Sequence, residues 1–84
     1  MGKMKENKEK VDFQSLSIGQ GGTMVYIVQK IFNKIGYELK EDGIFSEKMF
    51  QVVKIFQASR NNLVVDGIVG YQTMKEIDEA SNII

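Results

Sequence analysis

The sequence predicts an all-α domain, a small three-helix bundle with two repeated Asp-Gly-Ile loops. The first observation is a repeat, in which Asp42-Gly43-Ile44-Phe45-Ser46 and Asp66-Gly67-Ile68-Val69-Gly70 share the pattern Asp-Gly-Ile-apolar-small. The second is that the runs before, between and after these loops carry apolar residues at helical spacing. Because the chain has 84 residues and no cysteine, its helices must bury their apolar stripes against each other in one core.

The N-terminal part of the sequence divides into a tail and an arm. Residues 1–12 are mostly charged and lack periodicity, which predicts a disordered tail or linker, and we expect the folded domain to cover 13–84. Phe13, Leu16 and Ile18 are spaced to lay an extended arm on the core. The glycine-rich turn 19–22 lacks the Lys-Ser or Lys-Thr of a phosphate-binding loop, which argues against nucleotide binding.

Three helices are expected at about 23–35, 46–59 and 70–80. Thr23 and Ser46 are candidate N-caps, and Gly36 is placed to end the first helix. A wide apolar arc on the first helix leaves Gln29 on the polar side. This arc comprises Met24, Val25, Ile27, Val28, Ile31, Phe32 and Ile35.

The repeated loops are predicted to be held by their own residues. An Asp carboxylate can accept hydrogen bonds from nearby backbone N–H groups, and Gly readily adopts positive φ. The predicted structural residues of the loops are Asp42, Gly43, Asp66, Gly67, Gly70 and Thr73.

Composition argues against several classes of function. The chain has no histidine and no cysteine, so it lacks the usual zinc ligands and the Ser-His or Cys-His pairs of nucleophilic catalysis. Eleven basic and eleven acidic residues cancel, which argues against nucleic-acid binding, and no apolar run is long enough for a membrane span. The carboxylates do not form a calcium-loop pattern. We therefore expect no enzyme, no metal and no cofactor.

Four segments carry a shared pattern: Gly22-x-x-Val25-x-x-Val28-Gln29-x-x-Phe32-x-x-x-Gly36-Tyr37, the first Asp-Gly-Ile loop, Val52-Val53-x-x-Phe56-Gln57, and Leu63-x-x-Asp66-Gly67-Ile68-Val69-Gly70-x-x-Thr73. In this order they resemble the peptidoglycan-binding domain of bacterial cell-wall hydrolases, over about residues 16–77. The resemblance implies a three-helix fold and a non-catalytic anchor to peptidoglycan, placed beside a catalytic domain such as an amidase or a lysozyme.

A binding surface for such a polymer needs aromatic faces, amides and one or two cations. Arg60 could pair a peptide carboxylate in a forked geometry, and the tyrosines could lie against a sugar ring. The candidates are Tyr37, Gln57, Arg60, Asn61, Asn62, Tyr71 and Gln72.

The sequence also departs from the family pattern. Ser46 and Met49 stand where the family usually has Gly and Thr, and Tyr26 is one of several larger residues at positions that are generally small or polar. Four of these are candidates for a protein–protein contact: Met24, Ile27, Phe50 and Ile55. Either the N-terminal arm covers them or a second chain does.

Two functions therefore remain open. The near-complete pattern favours a wall-binding module of a cell-wall hydrolase. The extra apolar residues, and an N-terminus without the apolar core of a signal peptide, favour a structural or interaction module in a phage tail, an injection apparatus or a spore assembly. The first would act at the cell wall or outside the cell as part of a larger secreted protein, and the second in the cytoplasm or a phage particle.

Overall fold

The computed structural model describes residues 14–83, and within them the regular elements are three helices. Helix α1 spans Thr23–Lys34, α2 spans Glu47–Ser59 and α3 spans Tyr71–Ile83. The predicted all-α three-helix fold is confirmed. The predicted tail 1–12 and Phe13 lie outside the described residues.

The start of α1 differs from the prediction. Gly22 is the N-cap residue, with φ 142° and no side-chain hydrogen bond, and Thr23 is already helical. The predicted capping role of Thr23 is therefore wrong. The physical reason is that Gly22 donates its N–H to Gly43 O (2.9 Å), which holds the chain extended up to that residue.

The other helix ends follow local signals. The predicted cap at Ser46 is confirmed, since its Oγ accepts from Met49 N (3.2 Å). Past α1, Gly36 has φ 120° and Tyr37 N donates to Phe32 O (3.0 Å), which closes the helix with a Schellman motif. Helix α3 continues beyond the predicted end at residue 80, because no glycine or proline follows to stop it.

The core lies between the three helices and the two loops. The rings of Phe32 and Phe56 meet edge to face with centroids 5.6 Å apart. The buried apolar side chains are Val25, Val28, Phe32, Leu39, Phe45, Met49, Val52, Val53, Phe56, Val69 and Ile77. The apolar arc of α1 is thus wider than the core, because Met24 and Ile27 are exposed.

The segment before α1 pairs with both Asp-Gly loops. Leu16 and Val69 exchange two backbone hydrogen bonds (3.0 and 2.9 Å). Phe45 donates its N–H to Gln20 O (2.8 Å) and accepts one from Gly19 N (2.9 Å). Ile18 does not lie on the core as predicted. It is exposed because it stands in the turn that Gln20 N closes on Ser17 O (3.1 Å).

Candidate ligand-binding surface

A buried glutamine in α1 holds the first Asp-Gly-Ile loop. Gln29 Oε1 accepts from Gly43 N (2.8 Å), and Gln29 Nε2 donates to Asp42 Oδ1 (3.2 Å) and Ile44 O (2.9 Å). Asp42 Oδ1 also accepts from Ile44 N (3.0 Å). These bonds to backbone N–H and to Gln29 hold the pKa of Asp42 below its ordinary value, although partial desolvation opposes them. The prediction that Gln29 lies on the polar side of α1 is wrong, because its amide serves this loop.

The second loop is held in the same way from α2. Gln57 Oε1 accepts from Asp66 N (3.0 Å) and Gly67 N (2.9 Å). Its Nε2 donates to Asp66 Oδ1 (3.1 Å), Ile68 O (3.0 Å) and Thr73 Oγ1 (3.1 Å). Asp66 Oδ1 in turn accepts from Ile68 N (3.0 Å).

Gln57 was also expected to contact a ligand. The structure contradicts this, because Gln57 is buried and both ends of its amide are bonded inside the domain. Both glutamines belong to the shared sequence pattern, but the pattern alone does not show that they hold the loops. The signal that could have found them is their shared context, Val-x-x-Val-Gln in α1 and Val-x-x-Phe-Gln in α2.

A charged cluster lies where the end of α2 faces α3. Arg60 Nε and Nη2 both approach Glu76 Oε1, at 3.0 and 2.9 Å, and Asn62 Nδ2 donates to Glu76 Oε2 (3.1 Å). The hydrogen bonds from Asn62 and Arg60 hold the pKa of Glu76 below its ordinary value. Arg60 also lies over the Phe56 ring, 5.4 Å from its centroid. The Nε–Nη2 edge of the guanidinium is therefore occupied within the domain, and the use of Arg60 as a fork for a ligand carboxylate stays a prediction for its Nη1 side.

Two shallow depressions flank this cluster. Tyr37 and Arg60 line a depression of about 370 Å³ between the end of α1 and the end of α2. Asn62, Tyr71 and Gln72 line another of about 400 Å³ beside the second loop. Asn61 is exposed and lines neither of them. The predicted ligand residues thus fall on two neighbouring surfaces rather than in one groove.

The residues predicted as a partner surface fall in two environments. Met24, Ile27 and Ile55 are exposed, and Ile55 is the most accessible at 57%. Phe50 is half-buried and packs against the core, with its ring over Gly67. The described part of the arm pairs with the loops and leaves these three side chains exposed.

Among residues 14–83 no three acidic, histidine or cysteine side chains are grouped to hold a metal ion. The carboxylates with shifted pKa, Asp42 and Glu76, are shifted toward the ionised form, the opposite of what a general acid requires. No helix in the described part of the chain is long and apolar enough to cross a membrane.

Solved structures with the same fold include parts of longer proteins. A fused Zn-dependent amidase/peptidase/peptidoglycan-binding domain-containing protein from Clostridium acetobutylicum is 31% identical, with TM-score 0.73, over 77% of this chain and 29% of that one. The endolysin of Burkholderia AP3 phage is 30% identical, with TM-score 0.73, over 79% of this chain and 25% of that one. The chain thus spans less than a third of either protein.

A third structure matches over most of its own length. The SleB N-terminal domain is 29% identical, with TM-score 0.75, over 81% of this chain and 93% of that one. A search of curated protein sequences finds no match. Residues 21–77 match the family described as a putative peptidoglycan binding domain. With two-thirds of its length inside that match, and with the helices and loops described above, the chain belongs to the peptidoglycan-binding domain family.

Proposed function

We propose that the chain is a non-catalytic module that binds peptidoglycan and keeps an attached or partner hydrolase close to that polymer. The observation that carries the proposal is the family match over residues 21–77. The amidase/peptidase protein and the endolysin support the proposed link to a hydrolase, because each is several times longer than the shared domain. Such a module raises the local concentration of its partner at the wall and needs no cofactor. Its place of action would be the cell wall, outside the cell or in a phage particle.

The contact surface we propose consists of the two depressions beside the Arg60–Glu76–Asn62 cluster. Tyr71 is 51% exposed and offers an aromatic face to a sugar ring, and Gln72 beside it offers an amide. On the other side of the cluster, Tyr37 lines the smaller depression. In this arrangement Arg60 acts mainly by holding Asn62 and Glu76 in place. Because both depressions are shallow, we expect modest affinity for a single site, with avidity supplying the rest.

The test is co-sedimentation of the purified chain with insoluble bacterial sacculi. We expect the chain to pellet with the sacculi and to release no soluble fragments from them. The double substitution Tyr71→Ala with Gln72→Ala should lower the bound fraction without changing the circular dichroism spectrum. A matched control is Gln51→Ala with Lys48→Ala, two exposed residues of α2 outside both depressions. Equal pelleting of both double variants would place the contact elsewhere.

A second candidate is an interaction module in a phage, injection or spore assembly. It is favoured by the exposed Met24, Ile27 and Ile55, since exposed apolar patches mark interaction sites. Light scattering of the full chain, alone and with a co-expressed neighbour, tests it. Complex formation that Ile55→Glu abolishes would support this function. A chain that stays monomeric, finds no partner and pellets with sacculi would eliminate it.

A further inference from the structure

We propose that Gln29 and Gln57 have a second role, which is to protect the two Asp-Gly bonds of the chain from rearrangement to isoaspartate. Among the aspartates of the sequence, only Asp42 and Asp66 precede a glycine. This spontaneous reaction is fastest at such bonds, because glycine has no side chain to crowd the attacking nitrogen. The protection comes from the hydrogen bonds that hold the loops, and it does not depend on the proposed function.

The rearrangement begins with ring closure. The glycine nitrogen attacks Cγ of the preceding aspartate, and a C–N bond forms. A C–O bond of the carboxyl group breaks, and its oxygen leaves as water with the carboxyl proton and the N–H proton. Water then opens the succinimide ring at either carbonyl carbon and gives aspartate or isoaspartate. Ring closure therefore needs a glycine N–H that can lose its proton, a protonated carboxyl group and a side chain that is free to rotate.

The glycine N–H groups are bonded to the two buried glutamines. Gln29 Oε1 accepts from Gly43 N (2.8 Å), and Gln57 Oε1 accepts from Gly67 N (2.9 Å). Both glycines are buried. Loss of the N–H proton would leave a buried negative charge against an amide oxygen, which is costly. The nitrogen therefore becomes an effective nucleophile only when the loop opens locally.

The aspartate carboxylates are held in a form and a position that oppose ring closure. Asp42 Oδ1 accepts from Ile44 N (3.0 Å) and from Gln29 Nε2 (3.2 Å), and Asp66 Oδ1 has the equivalent two donors at 3.0 and 3.1 Å. The bonds from Ile44 and Gln29 hold the pKa of Asp42 below its ordinary value, which disfavours the protonated carboxyl group from which water can leave. The side chains can rotate freely only after these bonds break.

Each glutamine protects one loop. The loop residues that Gln29 bonds are 42–44, and those that Gln57 bonds are 66–68. Removing one amide should therefore expose one Asp-Gly bond and leave the other protected. A general loss of stability would instead speed the reaction at both bonds, so the site of the damage distinguishes the two causes.

The test ages the full chain in neutral buffer, well below its melting temperature, and measures isoaspartate at residues 42 and 66 separately. Peptide mapping with an endoproteinase that cuts before aspartate but not before isoaspartate gives both rates. We expect both to be at least about tenfold slower in the folded chain than in the chain unfolded by urea, since one buried hydrogen bond lost on opening accounts for about that factor.

Substitutions then assign the protection to the amides. Gln29→Leu should raise the rate at residue 42 by about tenfold and leave the rate at residue 66 unchanged, and Gln57→Leu should do the reverse. Gln51→Leu, at an exposed position of α2, is the matched control and should change neither rate. Equal rates in the folded and the urea-unfolded chain would refute the proposal. Equal acceleration at both residues in a variant that circular dichroism shows to be folded would refute it too.

Hydrogen exchange in the unsubstituted chain keeps the proposal testable if a leucine variant fails to fold. Exchange of the Gly43 and Gly67 amides reports how often their bonds to Gln29 and Gln57 open. We expect isoaspartate formation at the preceding aspartate to be slowed, relative to the unfolded chain, by at least the factor that slows exchange at the glycine. A smaller factor would overturn the proposal, because ring closure would then occur without the opening of that bond.

Discussion

Replacing Gln57 with leucine tests whether one buried amide holds the second loop. Leucine has nearly the same volume, so the change removes hydrogen bonds without opening a large cavity. It leaves the N–H groups of Asp66 and Gly67, the Ile68 carbonyl and the Thr73 hydroxyl without their present partner. Gly67 and Thr73 are buried, whereas Asp66 and Ile68 are exposed and water can reach their backbone atoms.

The loss of stability expected for Gln57→Leu follows from how well water reaches each of these groups. A buried donor left unsatisfied costs about 1–3 kcal/mol, and each of the more accessible groups loses a net bond of about 0.5–1.5 kcal/mol. With the Gly67 N–H as the buried donor and the Asp66 N–H and Ile68 carbonyl as the accessible groups, the sum is about 2–6 kcal/mol. The lower part of this range is favoured because water and the Thr73 hydroxyl can reorient. For a chain of 84 residues this is a large part of a total stability of roughly 4–13 kcal/mol.

Urea unfolding with a common m-value measures the effect. The matched control is Gln51→Leu on the same helix. Gln51 is exposed, and within residues 14–83 its side chain bonds only to the Glu47 side chain (3.2 Å), so this change should alter stability by less than about 0.5 kcal/mol. Gln29→Leu should cost somewhat less than Gln57→Leu, because the third partner of Gln29 Nε2 is the weak acceptor Met49 Sδ (3.7 Å) instead of a hydroxyl. Equal urea midpoints for Gln57→Leu and Gln51→Leu would refute the role we give to this amide.

Three further predictions concern the loops and the charged cluster. Asp66→Ala should lower the free energy of unfolding by about 1–3 kcal/mol, because Ile68 N and Gln57 Nε2 each lose an acceptor at about 0.5–1.5 kcal/mol; an unchanged urea midpoint would contradict this. Glu76 has a folded pKa below its ordinary value of 4.5. Its contribution to stability is therefore present above that pH and is lost as the pH falls through the folded pKa. In acid titrations the free energy of unfolding of Glu76→Gln should depend less on pH than that of the unsubstituted chain. Gly67→Ala should destabilise the domain more than Gly36→Ala. Each change adds backbone strain of about 1 kcal/mol because alanine disfavours positive φ, but only at Gly67 does a ring, that of Phe50, lie against the new Cβ. Similar melting temperatures for the two variants would show that the Phe50 ring moves aside freely.

The helices could be predicted from the sequence because each has an apolar stripe and a local signal at one or both ends. Ser46 and Gly36 act on neighbouring backbone atoms, so a few residues of sequence are enough to predict their roles. A short stretch of sequence does not show that Gly22 and not Thr23 caps α1, because this start depends on Gly43, which is distant in sequence. The role of Gln29 is hidden for a related reason, since helical periodicity assigns a polar residue to solvent unless its buried partners are known.

The candidate surface is harder to predict from the sequence than the helices are. The types of residue were reasonable for a polymer of sugars and peptides, but their arrangement depends on contacts between α2 and α3. In the sequence Glu76 is one of several acidic residues and nothing distinguishes it from the others. In the structure it occupies one edge of Arg60 and accepts a hydrogen bond from Asn62.

The pairing of the segment before α1 with both loops has a mechanical consequence for any domain joined ahead of residue 14. Tension on such a connection reaches the two Leu16–Val69 backbone bonds first and is shared with the bonds that Phe45 makes to Gly19 and Gln20. Both loops therefore resist the pull before any helix is extended. Among residues 14–83 no bridge of this kind involves α3, so tension applied beyond it acts on the last turn of a helix, which frays readily. The same module would thus withstand more force as a tether at its N-terminal end than at its C-terminal end.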